Sequence, residues 1–224
     1  MSRTGPRVPT MTERLQMIRR NTWLALAFAV VAPCAAQSQT PSNPNRWQVD
    51  PSHSAVSFRV RHLGITWVNG VFRQWTVDLL YDPQQPEAAS VTARIQSASV
   101  NTDNERRDAD IRAGYLATDS FPEFQFASTK VERVTPERLR ITGNLTMRGI
   151  TRPTVLDAEI GGVLNAQRGR RAALTATTTI RRADFGITRN SFMEGAQVVG
   201  DEIRITIDIE ATAPSLPASK PPAR

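Results

Sequence analysis

The sequence has few of the side chains on which metal and redox proteins rely. It contains one cysteine, Cys34, and two histidines, His53 and His62, in 224 residues. A single cysteine excludes a disulfide framework within the chain, a cysteine-only zinc cluster and a Cys-x-x-Cys redox pair. Two histidines are too few for a histidine-rich metal site. Gly-rich phosphate loops, Gly-x-Ser-x-Gly elbows and His-Glu-x-x-His motifs are absent as well.

Positive charge is concentrated outside the central part of the chain. The formal net charge is +7, of which residues 1–36 supply +4. Lys220 and Arg224 add two more positive charges near the C terminus, which leaves the middle near +1. Because a surface that binds a phosphate backbone needs clustered basic residues, we do not expect a nucleic-acid partner.

Residues 1–36 have the order of regions that is typical of a secretory signal peptide. The basic pair Arg19-Arg20 precedes an apolar run, 23–31, and small residues follow up to Ala36. The apolar run is shorter than the roughly 20 residues that span a bilayer. We therefore expect export to the periplasm, with cleavage near Ala36.

Two alternatives concern this leader. Translation from Met11 or Met17 would shorten it and leave a complete signal, because Arg19 and Arg20 follow both methionines. Lipidation at Cys34 would tether the mature protein to a membrane, but a proline directly before the cysteine fits a lipidation site poorly. We do not expect this modification.

Segments rich in Pro, Ser, Ala, Gln and Asn flank the central part of the chain. Residues 37–45 are expected to form a flexible linker and residues 213–224 a flexible tail. The folded domain is therefore predicted to span residues 46–212. The hydrophobic fraction of 40% suits one globular domain with a core.

Most of this domain alternates apolar and polar residues, which predicts half-buried β-strands. In the segment 54–62, Val56, Phe58 and Val60 share one face, while arginines and a serine share the other. The other segments with this pattern are 71–81, 90–97, 123–134, 138–148, 154–163, 172–181 and 202–212.

About eight strands joined by short connections indicate an all-β fold. An eight-stranded antiparallel barrel is expected because closure leaves no free sheet edge, and a two-sheet sandwich is the alternative. A barrel of this size is either filled by its side chains or holds one small ligand, and small inward residues favour the ligand. The Ala- and Thr-rich segment 172–180 would supply them if that face points inward, which alternation alone does not decide.

One interval interrupts the strand pattern. Thr102 and Glu105 fit a capping box, and the residues after them have helical composition. Two pairs stand at the four-residue spacing that stabilises an exposed helix, Asp103 with Arg107 and Asp108 with Arg112. We predict a short helix at about 103–116, near one end of the barrel.

Candidate catalytic residues are few. His53 follows an Asp-Pro turn and lies between two serines, but ordinary turn hydrogen bonds account for these residue types. The acidic residues of the predicted helix lack the spacing and central glycine of a calcium loop. No residue is assigned a catalytic or metal-binding role on these grounds.

Several motifs in order along the domain resemble those of a known family. They are Asp50-Pro-Ser-His-Ser-Ala-Val-Ser-Phe-Arg-Val-Arg-His-Leu-Gly64, Val68-Asn-Gly-Val-Phe72, Arg107-Asp108, Phe121-Pro-Glu-Phe124 with Ser128-Thr129, Leu145-Thr-Met-Arg-Gly-Ile-Thr-Arg-Pro153, Ala183-Asp-Phe-Gly186 and Val199-Gly-Asp-Glu202. On these residues the chain resembles the YceI-like family of periplasmic polyisoprenoid-binding proteins over about 47–211. It departs from the family pattern at Asp110 and Ile111, where a histidine and a leucine are usual, and at 114–117.

The resemblance implies an eight-stranded, lipocalin-like barrel with an elongated apolar cavity. Such a cavity would hold a polyisoprenoid or an isoprenoid quinone, with no metal and no established catalytic residues. Some relatives are associated with membrane cytochromes, so a transient contact with an inner-membrane cytochrome is a further partner hypothesis, as is a homodimer.

Alternation and residue type select candidate ligand-binding residues for such a barrel. The candidate wall residues are Phe58, Val60, Trp67, Phe72, Trp75, Phe124 and Phe126. The candidate head-group contacts near the mouth are His53, Arg61, Arg107, Asp108 and Arg112.

Three function hypotheses follow. The first is a periplasmic lipid carrier that buries an isoprenoid chain and catalyses nothing. The second is an interaction module with a filled barrel, which recognises a membrane electron-transport partner through its loops. The third is an enzyme acting on an isoprenoid lipid, with His53 or the pair Asp108 and Asp110 as acid or base.

Overall fold

Antiparallel strands account for most of the chain in a computed structural model that describes residues 43–166, 169–190, 192–193 and 196–214. The strands are β1 (Arg46–Val49), β2 (Ala55–His62), β3 (Thr66–Phe72), β4 (Trp75–Leu80), β5 (Ser90–Gln96), β6 (Val100–Asn101), β7 (Glu123–Thr135), β8 (Arg138–Met147), β9 (Ile150–Ala166), β10 (Gly169–Arg181), β11 (Phe192–Met193), β12 (Ala196–Gln197) and β13 (Val199–Ala213). The predicted signal peptide with Cys34 lies outside the described residues, as do most of the predicted linker and tail.

Helical segments are short. The α-helix α1 (Glu105–Asp110) runs directly into a π-helical segment, Ile111–Leu116. Single 3₁₀ turns lie at Pro51–His53, Pro86–Ala88, Ser97–Ser99 and Arg182–Phe185. Among the described residues, no helix has the length and hydropathy needed to cross a bilayer.

Eight strands form a closed antiparallel barrel. The hydrogen-bonded order is β1, β4, β5, β7, β8, β9, β10 and β13, and β13 pairs with β1 to complete the circuit. This confirms the predicted barrel and excludes the sandwich. Strands β2, β3 and β6 extend the sheet from β13 at one end of the barrel.

The long strand β13 runs between the two ends of the barrel. It pairs with β10 from Glu202 to Ala213, and on its other side with β2 near its start and β1 near its end. β1 and β2 therefore act as one strand broken by the Pro51–His53 turn. Asp50 caps this turn, since its Oδ1 accepts a hydrogen bond of 2.9 Å from the Ser52 amide.

The connection between β2 and β3 is a tight hairpin of three residues, 63–65, because His62 pairs with Thr66. Leu63 and Gly64 have φ angles of 52° and 74°, and the Ile65 amide donates to the His62 carbonyl over 3.1 Å. Positive φ at both central positions is the type I′ geometry, whose twist matches that of paired strands. The short β1 was not predicted, and β3 was not predicted as a separate strand, because the second predicted segment covers 71–81.

The predicted helix at 103–116 is confirmed, but its predicted start and stabilising pairs are wrong. The N-cap is Asn104, whose side chain accepts from the Arg107 amide over 2.9 Å. Thr102 instead donates to Asp108, which is buried. Neither predicted ion pair forms, because Arg107 and Arg112 donate to backbone carbonyls and the Thr102 hydroxyl.

A compact apolar cluster closes one end of the barrel. Trp47 is 2% exposed, and its indole Nε1 donates to the Tyr81 carbonyl over 2.7 Å. The guanidinium of Arg170, itself buried, lies 5.0 Å from the centre of the Trp47 ring. Ile209 and Ala211 of β13 complete this cluster, so we call this the closed end.

Candidate functional site

A cavity of about 390 Å³ occupies the barrel interior. Almost all of its lining is apolar, and every long strand of the barrel contributes to it. The volume falls within the range of about 300–1,000 Å³ that is typical of ligand sites. The barrel is therefore not filled by its own side chains, which removes the premise of the packed interaction module.

The apolar residues that alternate along the strands form the wall of this cavity. On β13 the residues Ile203, Ile205, Ile207 and Ile209 all line the cavity, and they are two positions apart. With a rise of about 3.3 Å per residue, this row spans roughly 20 Å along the strand. The cavity is accordingly elongated along the barrel wall.

Strand β10 contributes the small side chains that leave room for a ligand. Leu174, Ala176, Thr178 and Ile180 line the cavity, while the residues between them face solvent. This settles the orientation that alternation left open. Ala176 is 2% exposed and lies about midway along the strand, so its short side chain leaves space in the lumen at that level.

The predicted phenylalanines of the wall all line the cavity. The rings of Phe72 and Phe124 meet edge to face with centroids 5.8 Å apart, and Phe58 packs beside Phe72 at 5.5 Å. Val60 and Phe126 line the cavity as well. Edge-to-face packing fixes the ring planes, so these aromatic side chains form a rigid section of the wall.

Two wall rings lie directly over glycines of the neighbouring strand. A Cβ placed on Gly70 of β3 would lie 2.4 Å from Cζ of Phe58, and one on Gly143 of β8 would lie 2.4 Å from Cζ of Phe126. Because no side chain stands at either glycine, both rings lie along the wall and do not project into the lumen.

The two predicted tryptophans do not line the cavity. Val68 of β3 does line it, so its neighbour Trp67 faces the outside of the barrel. Trp75 packs against the cluster of Trp47 and Ile209. The wall prediction was wrong for Trp67 because residues 67 and 72 of one strand face opposite sides.

Charged side chains gather at the end of the cavity opposite the Trp47 cluster, which we call the mouth. Arg61, Arg107, Asp110 and Arg182 line it there, and Tyr115 of the π-helical segment lies beside them. Asp110 is paired with Arg189 over 2.7 Å. One of the two departures from the family pattern, the one at Asp110, thus places a charged residue at the mouth.

A buried network fixes the helix at the mouth. The Asp108 carboxylate is 3% exposed and accepts from the Thr102 amide at 2.9 Å and from the Thr102 hydroxyl at 2.5 Å. Arg107 Nε donates to the same Thr102 hydroxyl oxygen over 2.7 Å. Asp108 therefore positions Arg107 through Thr102 and does not itself line the cavity.

Arg182 holds the opposite side of the mouth. It is 4% exposed, and its guanidinium donates to the carbonyls of Gly200, Ile187 and Arg189 over 3.0, 2.6 and 2.9 Å. These bonds tie the segment after β10 to the start of β13. Arg182 was not predicted from the sequence, because it carries no motif signal beyond its place after an alternating strand.

The remaining predicted head-group contacts lie elsewhere. Arg112 donates to the Val100 carbonyl over 3.2 Å and braces β6 outside the cavity lining. His53 lies in the turn between β1 and β2, outside the cavity lining, with 60% of its side chain exposed. Of the five predicted contacts, Arg61 and Arg107 line the mouth.

His53 belongs to an ionic cluster beside the broken strand. Its Nδ1 lies 3.0 Å from Asp50 Oδ2 and 4.0 Å from Glu210 Oε1, and Arg171 pairs with Glu210. The hydrogen bond to Asp50 raises the pKa of His53, and the same bond lowers the pKa of Asp50.

Within the described residues, Asp50, His53 and Glu210 are the group with ligand-type atoms close enough to share a metal ion. Each already has a charged partner, and the Asp50 amide donates to the Glu210 carbonyl over 2.8 Å. The cluster accordingly fastens the break between β1 and β2 to β13.

Comparison with known proteins agrees with this architecture. A UPF0312 protein of Shewanella sp. strain ANA-3 is 38% identical over 138 residues, which are 61% of this chain and 72% of that protein. The crystal structure of the Campylobacter jejuni YceI protein matches with a TM-score of 0.60 at 29% identity, over 68% of this chain and 88% of that chain.

A third match is more distant. A polyisoprenoid binding domain from Saccharophagus degradans, implicated in plant cell wall breakdown, matches with a TM-score of 0.55 at 12% identity, over 77% of this chain and the whole of that chain. At this identity the match shows the shared fold. The family model of the YceI-like domain matches residues 47–211. The chain therefore belongs to the YceI-like domain family.

Proposed function

We propose that the protein is an exported carrier that holds the chain of an isoprenoid lipid, a polyisoprenoid or an isoprenoid quinone, inside its barrel. One observation carries this proposal: the cavity is apolar along its length and charged at one end. A molecule with a long apolar tail and a polar head matches that division.

Burial of the tail alone supplies a driving force. Each buried methylene-sized group contributes about 0.8 kcal/mol when it leaves water. The isoleucine row of β13 and the phenylalanine rings offer the lipid tail a preformed apolar surface. Ordering of the tail offsets part of this gain, and the rigid wall keeps the ordering cost of the protein low.

The polar end of the ligand would meet Arg107 and Arg182 at the mouth. Both are fixed by backbone and hydroxyl partners, so they present cationic groups in defined positions. An oxygen-rich head group suits such donors. The name of the Saccharophagus degradans domain supports an isoprenoid as the class of tail.

The positions of the acid–base candidates support a carrier over an enzyme. His53 lies outside the cavity lining, Asp108 is engaged with Thr102, and Asp110 is paired with Arg189. General acid–base catalysis requires a group within hydrogen-bond reach of the reacting atom. The first two candidates face no space that an apolar substrate would fill.

The signal peptide predicted at 1–36 supports export to the periplasm. Exported protein is then expected to begin near Gln37, which N-terminal sequencing of periplasmic material would test. Contact with an inner-membrane cytochrome and a homodimer stay predictions.

Native mass spectrometry of protein purified from its own periplasm, followed by organic extraction, tests the cargo. We expect one isoprenoid lipid or quinone per chain. Protein that is free of ligand, and that also fails to take up such lipids in vitro, would overturn the carrier proposal.

A further inference from the structure

Three arginines surround one tryptophan on the outer face of the barrel beside the mouth. The guanidinium carbons of Arg61, Arg59 and Arg204 lie 4.1, 4.7 and 5.0 Å from the centre of the Trp67 ring. They come from the adjacent strands β2 and β13, and Trp67 from β3. We call these four residues the Arg-Trp cluster.

The cluster is a concentration of uncompensated positive charge. Among the described residues, none of its three guanidiniums forms an ion pair with a carboxylate. The nearby Asp201 is engaged by Arg181 over 2.9 Å, and Glu202 is the other acid on this part of β13. The face of the Trp67 ring attracts each guanidinium and orients it. The ring itself carries no net charge, so it does not neutralise the arginines.

The hairpin beside this cluster ends in an exposed apolar residue. Ile65 is 73% exposed and directly follows the Leu63-Gly64 turn. Arg61 Nη1 donates to the Ile65 carbonyl over 3.1 Å, so a direct hydrogen bond links the hairpin tip to the cluster. The Leu63 amide donates to the carbonyl of Val198, which lines the mouth.

We propose that the Arg-Trp cluster and Ile65 together form a docking surface for a bilayer that contains anionic lipids. A bilayer presents phosphates at its surface and hydrocarbon beneath them. Arginines bind phosphate oxygens in a planar, two-point geometry, tryptophan favours the interface, and an exposed aliphatic tip enters the apolar layer. A partner that contacts only the charged residues would make no use of the exposed Ile65 side chain.

Docking through this surface places the cavity mouth at the membrane. Arg61 belongs to both, because it lies on Trp67 and lines the mouth. A lipid tail could then pass between bilayer and barrel along a short path with little exposure to water. Docking itself requires no bound cargo, so it is measured separately from the carrier function.

Vesicle flotation tests the proposal with phosphatidylcholine vesicles that either contain or lack phosphatidylglycerol. We expect the full chain to bind the anionic vesicles and to remain free of the neutral ones. The double variant Arg59→Gln/Arg204→Gln should bind the anionic vesicles on the order of thirty-fold more weakly at low salt, from the contribution of each basic residue near a charged membrane.

The matched control is Arg138→Gln/Arg140→Gln, which removes the same charge from β8 far from the mouth. It should bind as the unmodified protein does. Ile65→Ser should weaken binding while leaving its salt dependence unchanged. Thermal unfolding of each variant checks that the barrel remains folded.

Equal losses in the two double variants would overturn the proposal, because bulk charge would then explain binding. Failure of the unmodified protein to bind anionic vesicles at low salt would overturn it as well. Uptake of lipid by Arg59→Gln/Arg204→Gln from detergent solution separates the two functions. Retained uptake with lost flotation in this variant supports docking. Unmodified protein that floats with anionic vesicles but takes up no lipid contradicts only the carrier function.

Discussion

The ring of Phe58 occupies the space that a side chain at Gly70 would need. A Cβ at Gly70 would lie 2.4 and 2.6 Å from two ring carbons of Phe58, and 2.9 Å from Cγ2 of Thr102. The two residues are direct cross-strand partners on β2 and β3. The absence of a side chain on one strand therefore keeps an aromatic ring of the next strand against the wall.

Gly70→Ala should push the Phe58 ring into the lumen. We expect a loss of about 1–3 kcal/mol in the free energy of unfolding, as for other overpacked cores, together with weaker lipid binding. Urea unfolding and lipid titration measure both effects. Adding Phe58→Leu to the same chain should restore part of the lost stability and part of the lost lipid binding, because the shorter side chain ends before the new methyl group. A Gly70→Ala protein that is as stable as the original would refute this packing.

Ala176→Phe should block the cavity from within. The new ring has room in the empty lumen, so the barrel should stay folded while lipid affinity falls on the order of tenfold or more. Thr177→Phe is the control, because Thr177 faces solvent on the same strand. Fluorescent-lipid displacement would compare them. A similar loss in both variants would show that the cavity is not the binding site.

Asp108→Asn should loosen the helix at the mouth. The amide nitrogen that replaces one carboxylate oxygen would meet the Thr102 donors, so we expect a loss of about 1–3 kcal/mol in the free energy of unfolding. Glu105→Gln, an isosteric change at an exposed position of the same helix, should have almost no effect. Equal urea midpoints for the two variants would contradict the buried role of Asp108.

The ion pair between His53 and Asp50 should make stability depend on pH. The pKa of His53 is raised from its ordinary 6.5, so its contribution is complete below that value and is lost as the pH rises through the raised pKa. The pKa of Asp50 is lowered from 3.8, so its contribution is present above that value and is lost as the pH falls through the lowered pKa.

Thermal unfolding of the original protein and of His53→Gln measures this dependence. The difference in Tm should be larger near pH 5.5, between the ordinary values of the two groups, than at a pH above the raised pKa of His53, where its imidazole has lost the charge. A Tm difference that is the same at both pH values would show that the imidazolium charge does not contribute.

Alternation predicted the long strands and most of the wall, because a strand with one buried face must alternate. It failed at β3, where Asn69-Gly70 has the composition of a hairpin turn. The actual turn is Leu63-Gly64, and Gly70 serves Phe58 inside the strand. A glycine that makes room for a ring looks the same in sequence as a glycine that bends the chain.

The head-group residues were harder to predict than the wall. Arg107 and Asp108 are adjacent and both charged, yet one lines the cavity and the other is buried beneath it. Which side of α1 faces the lumen depends on its cap at Asn104 and on the π-helical turn that follows. The hydrogen bonds from Thr102 to Asp108 also hold this helix, and no periodicity records them.

The pairing of β1 with β13 has a consequence for how the chain folds. Gln48 and Thr212, 164 positions apart, are joined across the closing seam of the barrel. Contacts between such distant segments slow folding, because the whole intervening chain must lose its freedom before the seam forms. A growing chain cannot complete the circuit until β13 has been synthesised, so β1, made first, waits for its partner until the rest of the barrel has emerged.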